Sequence, residues 1–267
     1  MHFVVGPRKE GAGTLRGVVE VLLRWYERER RDLPWRRTRD PYRILVSEVM
    51  LQQTQVARVI PRYEAWVERW PTAAALAEAP LADVLRAWVG LGYNRRAVRL
   101  HEAAREVAAN GWPERLEDLP GVGPYTAAAL GSFAFARQVV AIDTNARRVF
   151  ARAGALAPPP GAAATFNQAT MELGARFCTA RRPRCAECPL TAACPSSGAI
   201  RVAERRPGTP RPRFEDTDRY VRGRIVASLA HDTPLPPGID EERVERATAA
   251  LVADGLVVRE GGVVRLA

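Results

Sequence analysis

The hydrophobic positions of the chain recur mostly at the three-to-four-residue spacing of amphipathic helices. The first stripe consists of Leu15, Val18, Val19, Leu22, Leu23 and Tyr26. It predicts an amphipathic helix, which a polar, proline-containing loop at residues 32–41 follows. Short Gly/Pro turns then separate further helical patterns near 44–54, 59–70, 82–89, 97–109 and 125–135. Few segments alternate as strands do, so the predicted fold class is all-α.

The carboxyl-terminal third of the chain changes character twice. A loop at 158–164 precedes a predicted helix at 166–177, and a cysteine-rich segment follows it. Residues 199–218 are rich in Arg, Pro, Gly, Thr and Asp, as in a basic linker. The last part, 219–267, contains helical patterns at 220–229 and 242–254 and a hairpin pattern that turns at Gly261 and Gly262. Helices followed by a two-stranded hairpin predict a small, separate, winged-helix-like module.

Composition adds a bias toward a polyanionic partner. The 40 basic residues exceed the 30 acidic ones, which gives a formal net charge of +10. Such a charge favours nucleic acid binding, although it can also serve solubility alone. No run of 18 apolar residues is present, and the first residues lack the order of a signal peptide, so we expect no membrane span and a cytoplasmic location.

The segment 119–127, Leu-Pro-Gly-Val-Gly-Pro-Tyr-Thr-Ala, predicts a tight turn that enters a new helix. Gly121 and Gly123 permit a backbone that approaches a ligand closely, and Pro124 suits the first helical position. The free N–H groups of the new helix would face the turn and form a phosphate site made of backbone. A Gly-x-Gly pair alone also fits an ordinary helix–turn–helix corner, but the full string matches the helix–hairpin–helix motif.

Two carboxylates stand in apolar surroundings. Asp143 follows the apolar run 139–142 and precedes a predicted helix, so it is either a helix N-cap or a carboxylate aimed at developing positive charge, and both roles can coexist. Glu48 lies in a strongly apolar helix with little polar face. Its alternative is a surface glutamate; if it is buried, a raised pKa suits it to general acid catalysis. A pair of carboxylates is what cleavage of a glycosidic bond uses.

All four cysteines of the chain fall within 17 residues, in the spacing Cys178-x6-Cys185-x2-Cys188-x5-Cys194. Without a secretion signal, disulfides are not expected, and four thiolates in one compact loop predict a metal site. Zinc is the general alternative, but the spacing is not the paired Cys-x2-Cys of zinc ribbons.

Together these features resemble the helix–hairpin–helix DNA glycosylase superfamily with a 4Fe–4S cluster, and within it the adenine DNA glycosylases. The resemblance covers residues 20–198. It rests on the hairpin, the Asp143 segment, the cysteine spacing and the strings Leu-Pro-Trp-Arg at 33–36, Leu-Gln-Gln-Thr-Gln-Val at 51–56 and Gly-Leu-Gly-Tyr at 90–93. It implies a two-lobed helical fold at 1–198, with a six-helix barrel at about 42–150 and an iron–sulfur lobe formed by the amino-terminal helix and 151–198.

The resemblance also implies a role for each matching residue. Glu48 would protonate the adenine at N7, Asp143 would stabilise the cationic sugar, and Tyr125 and Asn145 would hold the reacting centre. The residues implied in substrate and DNA binding are Arg36 in the adenine pocket, Gln52 and Tyr93 as fillers or wedges in the duplex, Leu119, Gly121, Val122, Gly123 and Thr126 of the hairpin, and Arg181, Arg182 and Arg184 of the basic loop. The cluster ligands would be Cys178, Cys185, Cys188 and Cys194.

The activity implied is that of a monomeric base excision repair enzyme acting on double-stranded DNA that contains a mismatch or an oxidised base. It would excise adenine opposite 8-oxoguanine or guanine. Endonuclease III-like enzymes carry a Schiff-base lysine where this chain has Tyr125, and its only lysine is Lys9, so we expect an abasic product without strand cleavage. The alternatives are a mismatch glycosylase for uracil or thymine opposite guanine, an endonuclease III-like lyase, and a non-catalytic iron–sulfur regulator. Full-length members of the family end in a larger nudix-like domain, whereas residues 219–267 here resemble a winged helix, and Asn94 replaces the family's second aromatic residue.

Overall fold

The computed structural model describes residues 15–200 and 212–267, apart from the side chain of Leu15. Lys9 and most of the predicted linker lie outside the described residues. Within those ranges the protein is mainly helical, which confirms the predicted all-α class. The helices are α1 (Leu15–Glu29), α2 (Pro41–Leu51), α3 (Val56–Arg69), α4 (Ala73–Ala77), α5 (Leu81–Trp88), α6 (Arg95–Asn110), α7 (Pro124–Phe133), α8 (Thr144–Ala153), α9 (Ala163–Arg176), α10 (Asp218–His231) and α11 (Glu241–Ala253). The strands are β1 (Val257–Glu260) and β2 (Val263–Leu266).

Backbone contacts divide the chain into two compact units, which we call the amino-carboxyl unit and the central unit. The amino-carboxyl unit consists of Met1–Pro41 and Gly123–Arg206, and the central unit consists of Tyr42–Val122 and Pro207–Ala267. The predicted domain borders at 198 and 219 stay predictions. No helix in the two described ranges is long and apolar enough to cross a membrane.

The amino-carboxyl unit is built around α9, against which α1, α7 and α8 pack. Helices α1 and α8 turn an apolar face inward, whereas α7 and α9 are buried on more than one side. The core residues of this unit include Leu22, Trp25, Val149, Phe166 and Leu173. The rings of Trp25 and Phe177 meet edge to face with their centroids 5.7 Å apart, at the point where α9 ends and the cysteine segment begins. The core therefore fixes the start of the cysteine segment.

The central unit holds α2 to α6 together with the carboxyl-terminal elements. Trp66 on α3 and Trp88 on α5 are fully buried, and their rings meet edge to face at 5.5 Å. Strands β1 and β2 pair antiparallel in the register Val257 with Leu266, so the predicted hairpin at Gly261 and Gly262 is confirmed. Helix α10 packs on α5 and α11.

Candidate active site and cysteine centre

The hairpin at 119–123 is a tight turn whose side chains point into the protein. Leu119 and Val122 are buried, and the N–H of Val122 donates to the carbonyl of Leu119 at 3.1 Å. Gly121 has φ of +76°, and Gly123 is the N-cap of α7. Thr126 is also buried. The hairpin can therefore offer a ligand only backbone groups, which is the form of site that suits a phosphate.

The two hairpin glycines are required for different reasons, and Gly121→Ala is expected to destabilise the protein whereas Gly123→Ala is not. A Cβ at 121 would lie 2.7 Å from Cβ of Arg99, on a backbone that L side chains rarely adopt. We expect a loss of about 1–3 kcal/mol. A Cβ at 123 meets no heavy atom within 4 Å among the described residues. Its methyl group would instead hinder an approaching phosphate. Urea denaturation and duplex affinity check this, and equal losses of stability would contradict it.

Asp143 is held by two hydrogen bonds at the start of α8. Its Oδ1 accepts the backbone N–H of Ala146 at 2.6 Å, so the predicted N-cap is confirmed. Its Oδ2 accepts from Nδ2 of Asn145 at 2.9 Å. Each carboxylate oxygen therefore has a fixed direction, and the side chain remains half-exposed.

A hydrogen-bonded chain runs from Asp143 to the cysteine segment. Nη2 of Arg148 donates to Oδ1 of Asn145 at 2.7 Å and to the carbonyl of Gly174 at 2.8 Å. Nε of Arg148 donates to the carbonyl of Cys178. A Cβ on Gly174 would stand 2.6 Å from Cβ of Asn145, so this contact requires glycine. Arg148 therefore fixes the orientation of the Asn145 amide, and this amide in turn fixes the Asp143 carboxylate.

Glu48 lies on α2 in the central unit and is buried, with 7% of its surface exposed. Its neighbours Ser47 and Val49 are buried as well, so the prediction that α2 has almost no polar face is confirmed. Tyr125, on α7 of the amino-carboxyl unit, is half-buried, and its Oη lies 3.8 Å from Sδ of Met171. The fold therefore withdraws the Glu48 side chain from bulk water.

The loops that carry Gln52 and Tyr93 are held by one half-buried arginine, Arg96. Nη1 of Arg96 donates to the carbonyl of Gln52 at 2.8 Å, and Nη2 donates to the carbonyl of Gly92 at 2.9 Å. Burial lowers the pKa of Arg96 to about 10, which still leaves it charged near neutral pH. Both loops contain a non-glycine residue with positive φ, Gln53 at 55° and Tyr93 at 49°. Nothing in the local sequence marks Arg96, which looks there like a surface charge.

Arg36 belongs to an ion-pair cluster within the amino-carboxyl unit. Its Nη2 lies 2.8 Å from Oε2 of Glu172, and its guanidinium stands 5.4 Å from the ring centre of Tyr26. Arg31 binds the other oxygen of Glu172 at 2.6 Å. Only 11% of the Arg36 side chain is exposed. Its role in a base pocket stays a prediction, and the structure shows in addition a partner that the sequence did not reveal.

The four cysteines are free thiols, all half-buried, that line one cavity together with residues of α8 and α9. Nη1 of Arg152, a buried arginine, lies 3.4 Å from Sγ of Cys178. Burial, reinforced by the other cysteines, raises the pKa of Cys188 to about 11. In the described ranges no three His, Cys, Asp or Glu side chains converge on one point as ligands of a single ion do. The four thiols thus line one common cavity.

The basic loop between the first two cysteines faces solvent. Arg181, Arg182 and Arg184 are exposed. Arg184 pairs with Glu187 at 3.5 Å and lies over the ring of Phe177 at 5.2 Å. The exposed arginines are therefore accessible to a phosphate backbone.

The helical architecture of this chain is similar to that of solved DNA glycosylases. A solved thermostable thymine-DNA glycosylase superposes with a TM-score of 0.63 at 30% identity, covering 70% of this chain and 97% of that one. An endonuclease III in a trapped covalent intermediate with DNA shows the same fold, with a TM-score of 0.60 at 22% identity over 69% of this chain and 96% of its own.

The chain belongs to the HhH-GPD superfamily of base excision DNA repair proteins, whose sequence pattern it matches over residues 46–173. Its relatives include the adenine DNA glycosylase of Mycolicibacterium smegmatis, 44% identical over 88% of this chain and 91% of that protein. The adenine DNA glycosylase of Homo sapiens is 42% identical over 65% of this chain and 38% of its own length. The family membership predicted from the hairpin and the cysteine spacing is confirmed.

Proposed function

We propose that this protein is an adenine DNA glycosylase of base excision repair, which flips adenine out of duplex DNA and hydrolyses its N-glycosidic bond. The similarity to adenine DNA glycosylases over 88% of the chain carries the proposal. Buried Glu48 and the fixed carboxylate of Asp143 are the two groups that the reaction requires.

Asp143 acts on the sugar. As the bond from C1′ to the base breaks, the sugar develops the positive charge of an oxocarbenium ion, and a nearby carboxylate lowers the energy of that state. The bonds from Ala146 and Asn145 hold the carboxylate in place, so little reorganisation is needed when the charge appears. Water then completes the hydrolysis at C1′.

Glu48 acts on the base. A departing adenine carries negative charge unless a proton reaches one of its ring nitrogens, and Glu48 supplies that proton at N7. Burial on α2 keeps the carboxyl group away from bulk water. Tyr125 stands where lyases of the superfamily carry a lysine, so the product is an abasic site on an uncut strand.

Duplex DNA binds through the backbone of the hairpin, with Tyr93 and Gln52 as the side chains that enter the stack of bases. Hairpin N–H groups read phosphates and no sequence. The substrate is a duplex with adenine opposite 8-oxoguanine or guanine, bound by one copy of the chain.

The cysteine centre fits a 4Fe–4S cluster. Its donor set is four soft sulfur ligands that line one cavity, and their spacing is not the paired Cys-x2-Cys of zinc ribbons, which favours a cluster over zinc. Cys178, Cys185, Cys188 and Cys194 would hold it, and it would supply cross-links that order the segment beside α8 and α9. Arg152 donates toward Cys178, which suits a thiolate ligand. Iron and acid-labile sulfide in the purified protein, and their loss in Cys188→Ser, test the assignment.

Base release from four duplexes tests the function. They carry adenine opposite 8-oxoguanine, adenine opposite guanine, uracil opposite guanine and thymine opposite guanine, and each reaction is resolved with and without alkali. We expect loss of adenine that becomes visible as strand cleavage only after alkali. Release of thymine or uracil instead would favour the second candidate, which the similarity to a thymine-DNA glycosylase at 30% identity supports. Cleavage without alkali would indicate a lyase.

A further inference from the structure

Tyr93 is an exposed aromatic residue on a strained backbone. Its φ is 49°, in the left-handed region that bulky residues rarely occupy, and 41% of its surface is exposed. Strain of this kind persists only where the surrounding contacts enforce it, and it concentrates at ligand-binding positions. Exposed aromatic rings are the groups on which proteins stack nucleic acid bases.

The contacts that enforce this conformation come from the central unit itself. The carbonyl of Gly92 accepts from Nε1 of Trp88 at 3.1 Å and from Nη2 of Arg96 at 2.9 Å. Arg96 also holds the carbonyl of Leu91 at 3.1 Å. The peptide before Tyr93 is therefore pinned from two sides, and the ring is held outward.

Arg219 of α10 covers one face of this ring. Its Cζ stands 3.9 Å from the ring centre, and its Nη1 donates to Oη of Tyr93 at 2.8 Å. At 3.9 Å the guanidinium is in van der Waals contact with the ring, and the hydrogen bond fixes its direction. Arg219 forms no ion pair with any carboxylate in the described part of the chain, so its charge remains available to a polyanion.

Helix α10, which carries Arg219, is held in place by ion pairs and by packing against other helices. Asp254, at the end of α11, lies 3.4 Å from Nη1 of Arg95 on α6 and also pairs with Arg222 of α10. Helix α10 packs on α5, whose last residue is Trp88. One carboxylate therefore links both carboxyl-terminal helices to the start of α6, two residues after Tyr93.

The charge balance of the carboxyl-terminal segment, residues 212–267, argues against a general electrostatic attraction of this segment to DNA. Residues 212–267 contain eight arginines and ten aspartates and glutamates, although the whole chain is basic. A segment with this balance gains little from general attraction to phosphates. Any contribution that it makes to duplex binding has to come from individually placed side chains.

We propose that Arg219 is a DNA-binding residue, which forms with Tyr93 one stacking unit that contacts the bases of a bound duplex and so makes the carboxyl-terminal segment part of the DNA-binding surface. The inference rests on the proposed function, since it assumes a duplex substrate. A base that approaches the covered face of Tyr93 meets the plane of the guanidinium, on which bases stack as they do on aromatic rings. The ring and the guanidinium then act together.

The test measures affinity for a duplex that carries a stable tetrahydrofuran abasic analogue opposite guanine. We expect Arg219→Met to weaken binding about ten-fold. Arg219→Lys keeps the charge but not the plane, and we expect it to bind as weakly as Arg219→Met. Arg224→Met removes the same charge from an exposed position of the same helix, and we expect a loss below about three-fold. Circular dichroism verifies that each variant is folded.

A double-mutant cycle with Tyr93→Leu decides whether the two residues act as one unit. We expect Arg219→Met to cost less than about two-fold further in the Tyr93→Leu background, because the stacking unit is already lost. The same ten-fold loss in that background, full binding by Arg219→Lys, or no loss in Arg219→Met would overturn the inference. The analogue requires no base release. A wild-type protein that binds it but releases no adenine therefore refutes the proposed function alone.

Discussion

Asp143→Asn is expected to lower the rate of base release about 10²–10⁴-fold while the protein stays folded and binds its duplex. Asparagine is as good an N-cap as aspartate, so the start of α8 is retained. The hydrogen bond from Asn145 is lost, because the NH2 group of the new asparagine then faces the NH2 group of Asn145. This loss costs about 1 kcal/mol. What disappears is the negative charge beside the developing cation. Single-turnover base release and duplex affinity measure the two effects separately.

The matched control is Asp240→Asn. Asp240 caps α11 as Asp143 caps α8, with its Oδ1 accepting the N–H of Arg243 at 3.0 Å. This control makes the same Asp-to-Asn substitution at another helix N-cap, and it should leave base release unchanged. If Asp143→Asn retained more than about a tenth of the wild-type rate, electrostatic stabilisation by Asp143 would be wrong. Glu48→Gln should be similarly slow, since it removes the proton donor with little change of shape.

The helices of this protein could be predicted because their apolar spacing is regular and Gly or Pro residues separate them. The predicted ranges 59–70 and 97–109 became Val56–Arg69 and Arg95–Asn110. The cap at Asp143 also followed from local sequence, because an N-cap involves only neighbouring residues. Helix α4 (Ala73–Ala77) was missed, since five residues without a charge or a stripe provide no periodicity.

The partners of buried and half-buried charged side chains could not be predicted. Arg96, Arg148 and Glu172 read as surface residues in the sequence, and each proves to bind groups that are distant along the chain. Nothing local marks such a residue, because only the tertiary fold decides which arginine meets a carbonyl or a carboxylate. The contact of Arg219 with Tyr93, 126 residues away, is of the same kind. The roles of the site residues stay predictions that the experiments above test.

Glu172→Gln is expected to lower the free energy of unfolding by about 3 kcal/mol, the largest stability effect among the substitutions considered. The Glu172 side chain has no exposed surface, and it accepts from Nε of Arg31 at 2.6 Å and from Nη2 of Arg36 at 2.8 Å. Removing its charge leaves the guanidinium of Arg36, which is only 11% exposed, without its counter-ion. Urea denaturation at neutral pH measures the loss. Glu20→Gln, which breaks an exposed pair with Arg16, is the control and should cost less than about 1 kcal/mol.

The same carboxylate predicts how stability changes with acid. Burial acts to raise the pKa of Glu172, but the hydrogen bonds and charges of Arg31 and Arg36 outweigh it and hold the pKa below its ordinary value of 4.5. A depressed pKa in the folded state means that the stabilisation is complete above the ordinary pKa and is lost as the pH falls through the folded one. The difference in stability between wild type and Glu172→Gln should therefore be constant from neutral pH down to about 5 and shrink below that. A difference that grew on acidification would mean that Glu172 is protonated in the native protein, and that the two arginines are held by other groups.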